Sequence, residues 1–270
     1  MLRYKLASLA DKPKKPYAFL PEIHGSHGQE AAYLKVMRSM LRQLAAQVRS
    51  DVLPVVEREL AEQKQVKRLQ VDIDADIFNR LSAFAAMLAR VADNMVNRIL
   101  RIEGNRHTRE FGASVRRAIG VDVGAVVREG DLESLMSVAA VRNAALIKGL
   151  ADETVRRVAN TVTTALMQGT PARDLRKALA KDFSFSDKRA KVIARDQIAK
   201  LNSDMNRFRH RQAGIDKYRW RTSKDERVRP LHRKLDGKIY EYGKPTGAEN
   251  GLPPGQPVLC RCIAQAIVEF

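Results

Sequence analysis

Gly214-Ile215-Asp216-Lys217-Tyr218-Arg219-Trp220-Arg221-Thr222 is where this chain changes its period. Before it, Ala194, Ile198, Leu201, Met205 and Phe208 recur at spacings of three and four, which places them on one face of a helix that starts at Ser186 and stops at Gly214. The other faces of that helix carry Lys188, Lys191, Arg195, Lys200, Arg207, Arg209 and Arg211. After Gly214, Tyr218, Trp220 and Thr222 alternate with arginine, the period of a half-buried strand. Lys238-Ile239-Tyr240 predicts a second short strand, and Ile263 to Val268 a third. The expected product is a small α+β unit over residues 184–270, one long helix against a short antiparallel sheet with long ordered loops.

Upstream the pattern is helical. Leu34, Met37, Leu41, Leu44 and Val48 share a face from about Glu30 to Ser50, and Pro54 suits the first turn of the next helix, where its missing N–H costs nothing. Ile77, Leu81, Phe84, Leu88, Val91 and Met95 mark a longer helix after Asp74, and their stripe suits either a bundle core or a coiled-coil partner. Gly104 and Gly120 bound a shorter helix bearing Arg106, Arg109, Arg116 and Arg117, a cluster that fits a solvated face or a phosphate contact. Three more helices are expected at 131–150, 152–168 and 171–182, with Asp152 as an N-cap and Gly169-Thr170-Pro171 as a break. Residues 1–28, with Pro13, Pro16, Pro21 and the His24-Gly25-Ser26-His27-Gly28 turn, read as an arm without a core of its own. The chain is thus expected to be mainly α with a small C-terminal α+β domain. Its parts would be an arm (1–28), a helical domain (29–130), a helical connector (131–183) and the C-terminal domain (184–270).

Composition narrows the partners. Against 31 acidic side chains stand 49 lysines and arginines, a net charge of +18, and residues 184–270 hold 19 of the basic and 10 of the acidic groups. Such a surface meets polyanions favourably, so DNA or an acidic protein face is expected near the C-terminal part, with a merely solubilising coat as the alternative. No apolar run approaches the roughly 18 residues of a membrane span. The apolar stretch after Met1-Leu2-Arg3 is too short for a secretory signal, so a cytosol-like compartment is expected. Cys260 and Cys262 are the only cysteines; a disulfide between residues two apart would be strained, and a reducing compartment disfavours it.

The motifs follow one another in a fixed order. Ile193-Ala194-Arg195 through Leu201-Asn202 leads into Trp220-x-Thr222-x-x-Asp225-x-Arg227-x-Arg229. Then come His232-x-x-Leu235-Asp236-Gly237, Pro253-Pro254-Gly255-x-Pro257 and Cys260-Arg261-Cys262. In this order they resemble the phage Mu F-like minor head proteins, or head morphogenesis proteins, of tailed bacteriophages, over about the last third of the chain. The resemblance implies a structural minor head protein made in the bacterial host cytoplasm and kept in the virion (the phage head). Its implied partners are the portal protein and other head proteins at the portal vertex, with non-specific DNA contact and no membrane. The competing classes are a metal-dependent nuclease or other hydrolase assisting head maturation, and a DNA-binding protein with no capsid role. Against catalysis, the sequence has no glycine-rich phosphate loop, no His-Glu-x-x-His and no second histidine near His232.

His232, Cys260 and Cys262, with Asp225 as a fourth donor, form a zinc candidate, because imidazole and thiolate are preferred zinc ligands. Some members of the resembled family carry Cys-x-x-Cys where this chain has Arg229 and His232; Arg229 cannot ligate, which leaves three good donors. In the metal-free alternative His232 hydrogen-bonds to Asp225 or Asp236, Arg229 pairs with a carboxylate, and the cysteines are small buried apolar residues. Arg195, Trp220, Arg229, Asp236 and Gly237 are expected to carry the motif structurally, with Asp236-Gly237 as a turn, Trp220 in the core and the proline arm delivering Cys260.

Overall fold

The computed structural model describes residues 4–11, 15–66 and 76–270. Pro13, Asp74 and the basic start at Met1 to Arg3 lie outside the described residues. The helices are α1 (His27–Gln47), α2 (Leu53–Val66), α3 (Asp76–Ile119), α4 (Glu133–Met167), α5 (Ala172–Gln212) and the single turn α6 (Pro230–Arg233). The strands are β1 (Tyr17–Phe19), β2 (Lys217–Arg221), β3 (Ile239–Glu241) and β4 (Ile263–Glu269), in an antiparallel sheet of order β1-β4-β2-β3. The protein is therefore mainly α with a small C-terminal sheet. Its contacts divide into two compact units. One holds the residues up to Glu30, Arg98–Ala139 and Arg195–Phe270; the other holds Ala31–Asn97 and Ala140–Ala194.

The all-helical unit is built from longer elements than the punctuation of the sequence suggests. A separate helix expected from Asp152 does not form: α4 runs unbroken, because the buried series Ile147, Leu150, Ala151, Val155, Val158 continues through that point, and Gly149 within it does not interrupt the helix. Ser186 likewise does not cap a helix. It is buried in the middle of α5, and its hydroxyl donates to the Thr154 hydroxyl at 2.9 Å while Thr154 donates to the Leu150 carbonyl. The α1 helix passes through a wide π turn at Val48–Val52 into α2, where Pro54 is the second residue. In α3 the buried stripe is Ile77, Leu81, Ala85, Leu88, Ala92 and Val96, and the expected Val91 and Met95 are half exposed. The buried line of α3 is thus rich in alanine, and the larger Val91 and Met95 fall beside it. Tyr33 of α1 donates to Asn143 of α4 at 2.7 Å inside this core.

In the sheet-bearing unit, Gly104 does not end a helix; α3 continues to Ile119, and a Cβ on Gly104 would lie 3.3 Å from the Met136 side chain. Gly120, at φ +73°, supplies the stop. The N-terminal segment, expected to be an arm, has no separate core but is built into this one. Its β1 strand pairs with β4 in the register Tyr17 to Glu269 and Phe19 to Ile267, and Leu6, Leu20 and Ile23 join Phe111, Val115, Ile215 and Val268 in one buried cluster. Three strands were legible as alternation; the fourth, a three-residue strand between prolines, was not.

Polar residues fix how segment 20–26 lies against α3 and α5. Asn202 and Asn206 both donate to the Ile23 carbonyl, and the buried Glu103 carboxylate accepts the Ser26 N–H and a two-pronged contact from Arg106. Arg106 is therefore bound to Glu103 and to the His24 carbonyl rather than presented to phosphate. Arg209 departs further from expectation. On the pattern of α5 it belongs to a solvated face, yet it is fully buried and donates to Asp131, Gln212, the Thr108 hydroxyl and the Arg128 carbonyl.

Candidate metal centre

Strand β2 sets the frame. Its burial alternates as the sequence implies, with Tyr218 and Trp220 inward, and Trp220 is fully buried. The Trp220 N–H donates to the Lys238 carbonyl and the Gly237 N–H to the Trp220 carbonyl, each at 2.9 Å, which holds the Asp236-Gly237 turn beside the strand. Gly237 takes φ +79°, a conformation glycine adopts without strain, and the Asp236 carboxylate accepts the Thr222 N–H at 2.8 Å. Pro230 opens α6, and that single turn points the buried His232 edge-on at the Trp220 ring, with centroids 5.4 Å apart.

The proline arm arrives from the other side. Pro254 accepts the Ser203 hydroxyl of α5, Gln256 donates to Asp204, and Leu259 donates its N–H to Asp196. Gly255 sits at φ +86° with its missing Cβ only 2.8 Å from the Ser203 Cβ, so no other residue fits there unstrained. Cys260 and Cys262 follow, both buried. His232 Nδ1 lies 3.5 Å from Cys260 Sγ and 3.6 Å from Cys262 Sγ. The three donor atoms lie within 4.8 Å of one another, and among the described residues no fourth histidine, cysteine or carboxylate joins them.

Asp225 is placed elsewhere. Its carboxylate pairs with Arg261 and accepts the Arg227 N–H, which holds it below the usual carboxylate range. The carboxylate that meets His232 is neither Asp225 nor Asp236 but Glu249, whose Oε2 is 2.7 Å from Nε2. The hydrogen bond from His232 lowers the Glu249 pKa, against a smaller opposing effect of burial. Arg229 pairs with that same carboxylate at 3.2 Å and donates to the Val258 carbonyl at 2.5 Å. Glu249 carried no sequence signal, since it stands 17 residues after His232 in an irregular loop outside every motif.

Each sulfur acts on the other. The hydrogen bond from Cys262 draws Cys260 down to about 6 against the effect of burial, and the same bond drives Cys262 far above the ordinary thiol range. A cavity of about 240 Å³ borders all three donors and is otherwise lined by Arg195, Ser223, Arg227, Val228, Arg229, Leu259 and Arg261. Arg195, expected as a motif residue of the lead-in helix, thus stands at its wall.

Residues 156–265 match the family described as Phage Mu protein F like protein. Over that stretch the chain is phage Mu F-like. The Mu F-like stretch begins within α4, takes in α5 and β2, and contains every donor of the His232 cluster. The chain is also 31% identical over 179 residues to an uncharacterized protein of Haemophilus influenzae (strain ATCC 51907 / DSM 11121 / KW20 / Rd). That alignment takes in 66% of this chain and 40% of the relative, so the chain spans about two fifths of the relative's length. No solved structure matches this chain.

Proposed function

We propose that this chain is a structural minor head protein of a tailed phage or prophage, working in head morphogenesis at or near the portal vertex. The observation that carries the reading is the Mu F-like match over residues 156–265. The side chains of the matched motif support it, because they are used inside the domain. Trp220 is core, Asp236 binds the Thr222 N–H, Asp225 holds Arg261, and Arg229 ties α6 to the proline arm. A scaffold spends its polar residues in this way, and the protein acts by assembly with other head proteins. Purified virions should contain the chain in far fewer copies than the major shell protein. Its absence from virions and from assembling heads would overturn the reading.

Contact with packaged DNA is the second part of the proposal. In the sheet-bearing unit Arg211, Lys224, Arg227, Lys234 and Lys238 are exposed, and no groove-reading motif accompanies them. Binding by phosphate neutralisation releases counterions, so affinity falls with salt and ignores sequence. The purified protein should retain duplex DNA on a filter at low salt, and a fourfold rise in salt should weaken retention by about tenfold or more. Undiminished binding at high salt, or preference for one sequence, would count against it.

A further inference from the structure

We infer that His232 Nδ1, Cys260 Sγ and Cys262 Sγ together bind one zinc ion, whose fourth position opens on the cavity lined by Arg195, Ser223 and Arg227. The first ground is distance. Zinc bonds of about 2.0–2.1 Å to nitrogen and about 2.3 Å to sulfur, set at the tetrahedral angle, require an N···S edge of about 3.6 Å. The two edges here are 3.5 and 3.6 Å. An imidazole nitrogen has a single in-plane lone pair, so two thiols cannot both donate to it well. One metal ion on that lone pair serves both sulfurs.

The second ground is the tautomer. Glu249 Oε2, 2.7 Å from Nε2, accepts a proton there and leaves Nδ1 bare and aimed at the sulfurs. A carboxylate behind the imidazole is the usual support of a zinc-bound histidine. The third ground is the surroundings of the sulfurs. The Gly255 N–H approaches Cys260 Sγ at 3.4 Å, and the indole N–H of the buried Trp220 has no hydrogen-bond partner among the described residues. Donors of this kind favour thiolates. Two buried thiolates need a doubly charged partner, and zinc bound to both gives a neutral cluster. The site joins α6 to the residues just before β4.

The test uses the full chain, freshly reduced. Zinc-supplemented preparations should carry about one zinc per chain. Cobalt(II) in its place should give the thiolate-to-metal charge-transfer absorption, lost in Cys260→Ser and in Cys262→Ser. Glu249→Gln, which removes no ligand, should weaken metal affinity by about 10–100-fold. A chelator should lower the melting temperature of the wild-type protein and leave that of the cysteine variants unchanged. A folded, reduced chain with no zinc and no cobalt band would overturn the inference and leave a hydrogen-bonded thiol–imidazole cluster. Stoichiometric metal that survives Cys260→Ser with the same affinity would overturn it too, since the ion would then be held elsewhere.

Discussion

Replacing Arg209 with methionine is expected to lower the unfolding free energy by about 3–5 kcal/mol, because it strips the partner from a carboxylate that has been taken out of water. Arg209 is fully buried, and its pair with Asp131 is 2.9 Å long with almost no exposure on either side chain. Burial alone would raise the Asp131 pKa, but hydrogen bonds from the Arg128 N–H, Gln212 and Arg209 outweigh it and hold the carboxyl below its ordinary value. The guanidinium also satisfies the Thr108 hydroxyl and the Arg128 carbonyl, so one substitution leaves several groups without their donor. Asp131→Asn should cost a comparable amount, since it leaves the buried guanidinium without its counter-charge. Urea unfolding of the two single variants and the double variant measures the coupling directly, and a loss under about 1 kcal/mol for Arg209→Met would show that water reaches the site.

Lowering the pH from 7 to 5 is expected to remove roughly 4 kcal/mol of stability, about 2 kcal/mol from each of His107 and His210. Both rings are buried, and burial is the main reason each pKa is lowered to about 3. For His107 the hydrogen bond with Asn206 opposes burial, while the charges of Arg106 and Arg209 add to it; His210 meets the Tyr242 hydroxyl at 2.7 Å and the ring of Phe111. The sign follows from which state takes the proton. Below about 6.5 the unfolded chain is protonated at these positions and the folded chain is not, so stability falls as pH drops from 6.5 and levels off only below about 3. The Glu22 carboxyl, lowered to about 2 chiefly by hydrogen bonding with His24 and then Arg221, contributes only below its ordinary value of 4.5. The interval from 7 to 5 therefore leaves that carboxyl out, and because the Cys260 thiol, drawn down to about 6, falls inside it, the measurement is made in a Cys260→Ser background. His107→Gln and His210→Gln should each remove about half of the loss, and a urea midpoint that does not move between pH 7 and pH 5 would show that neither ring is kept neutral by the fold.

What the sequence showed depended on how local the signal was. The seam of α5 and the alternation of β2 were readable because each is a period within a few neighbouring residues, and Ile198, Leu201, Met205, Tyr218 and Trp220 are all buried. The convergence of His232 on Cys260 and Cys262 was readable from residue chemistry, since few other donors were available in the stretch. Glu249 was not, because nothing near it marks a carboxylate that will meet an imidazole 17 residues away. Ser186 and Asp152 resemble caps by residue type, and only the unbroken burial around them shows that the helices continue. Arg209 was misplaced for a related reason: a buried arginine is tolerated only where partners from distant segments assemble around it, and a helical wheel contains none of them.

The position of β4 bears on how the protein is made. Because β4 stands between β1 and β2, Tyr17 waits for Glu269 and Trp220 for Ala264. As the polypeptide leaves the ribosome, the long helices and the β2–β3 hairpin can form from nearby partners, while β1 keeps an open hydrogen-bonding edge. Closing so long a loop is entropically slow, and the contacts that reward it come only with β4. Cys260 and Cys262 emerge immediately ahead of the same strand. The arrival of β4 thus delivers the middle of the sheet together with the two cysteines just ahead of it, so the sheet stays unlatched until residues 260–269 have left the ribosome.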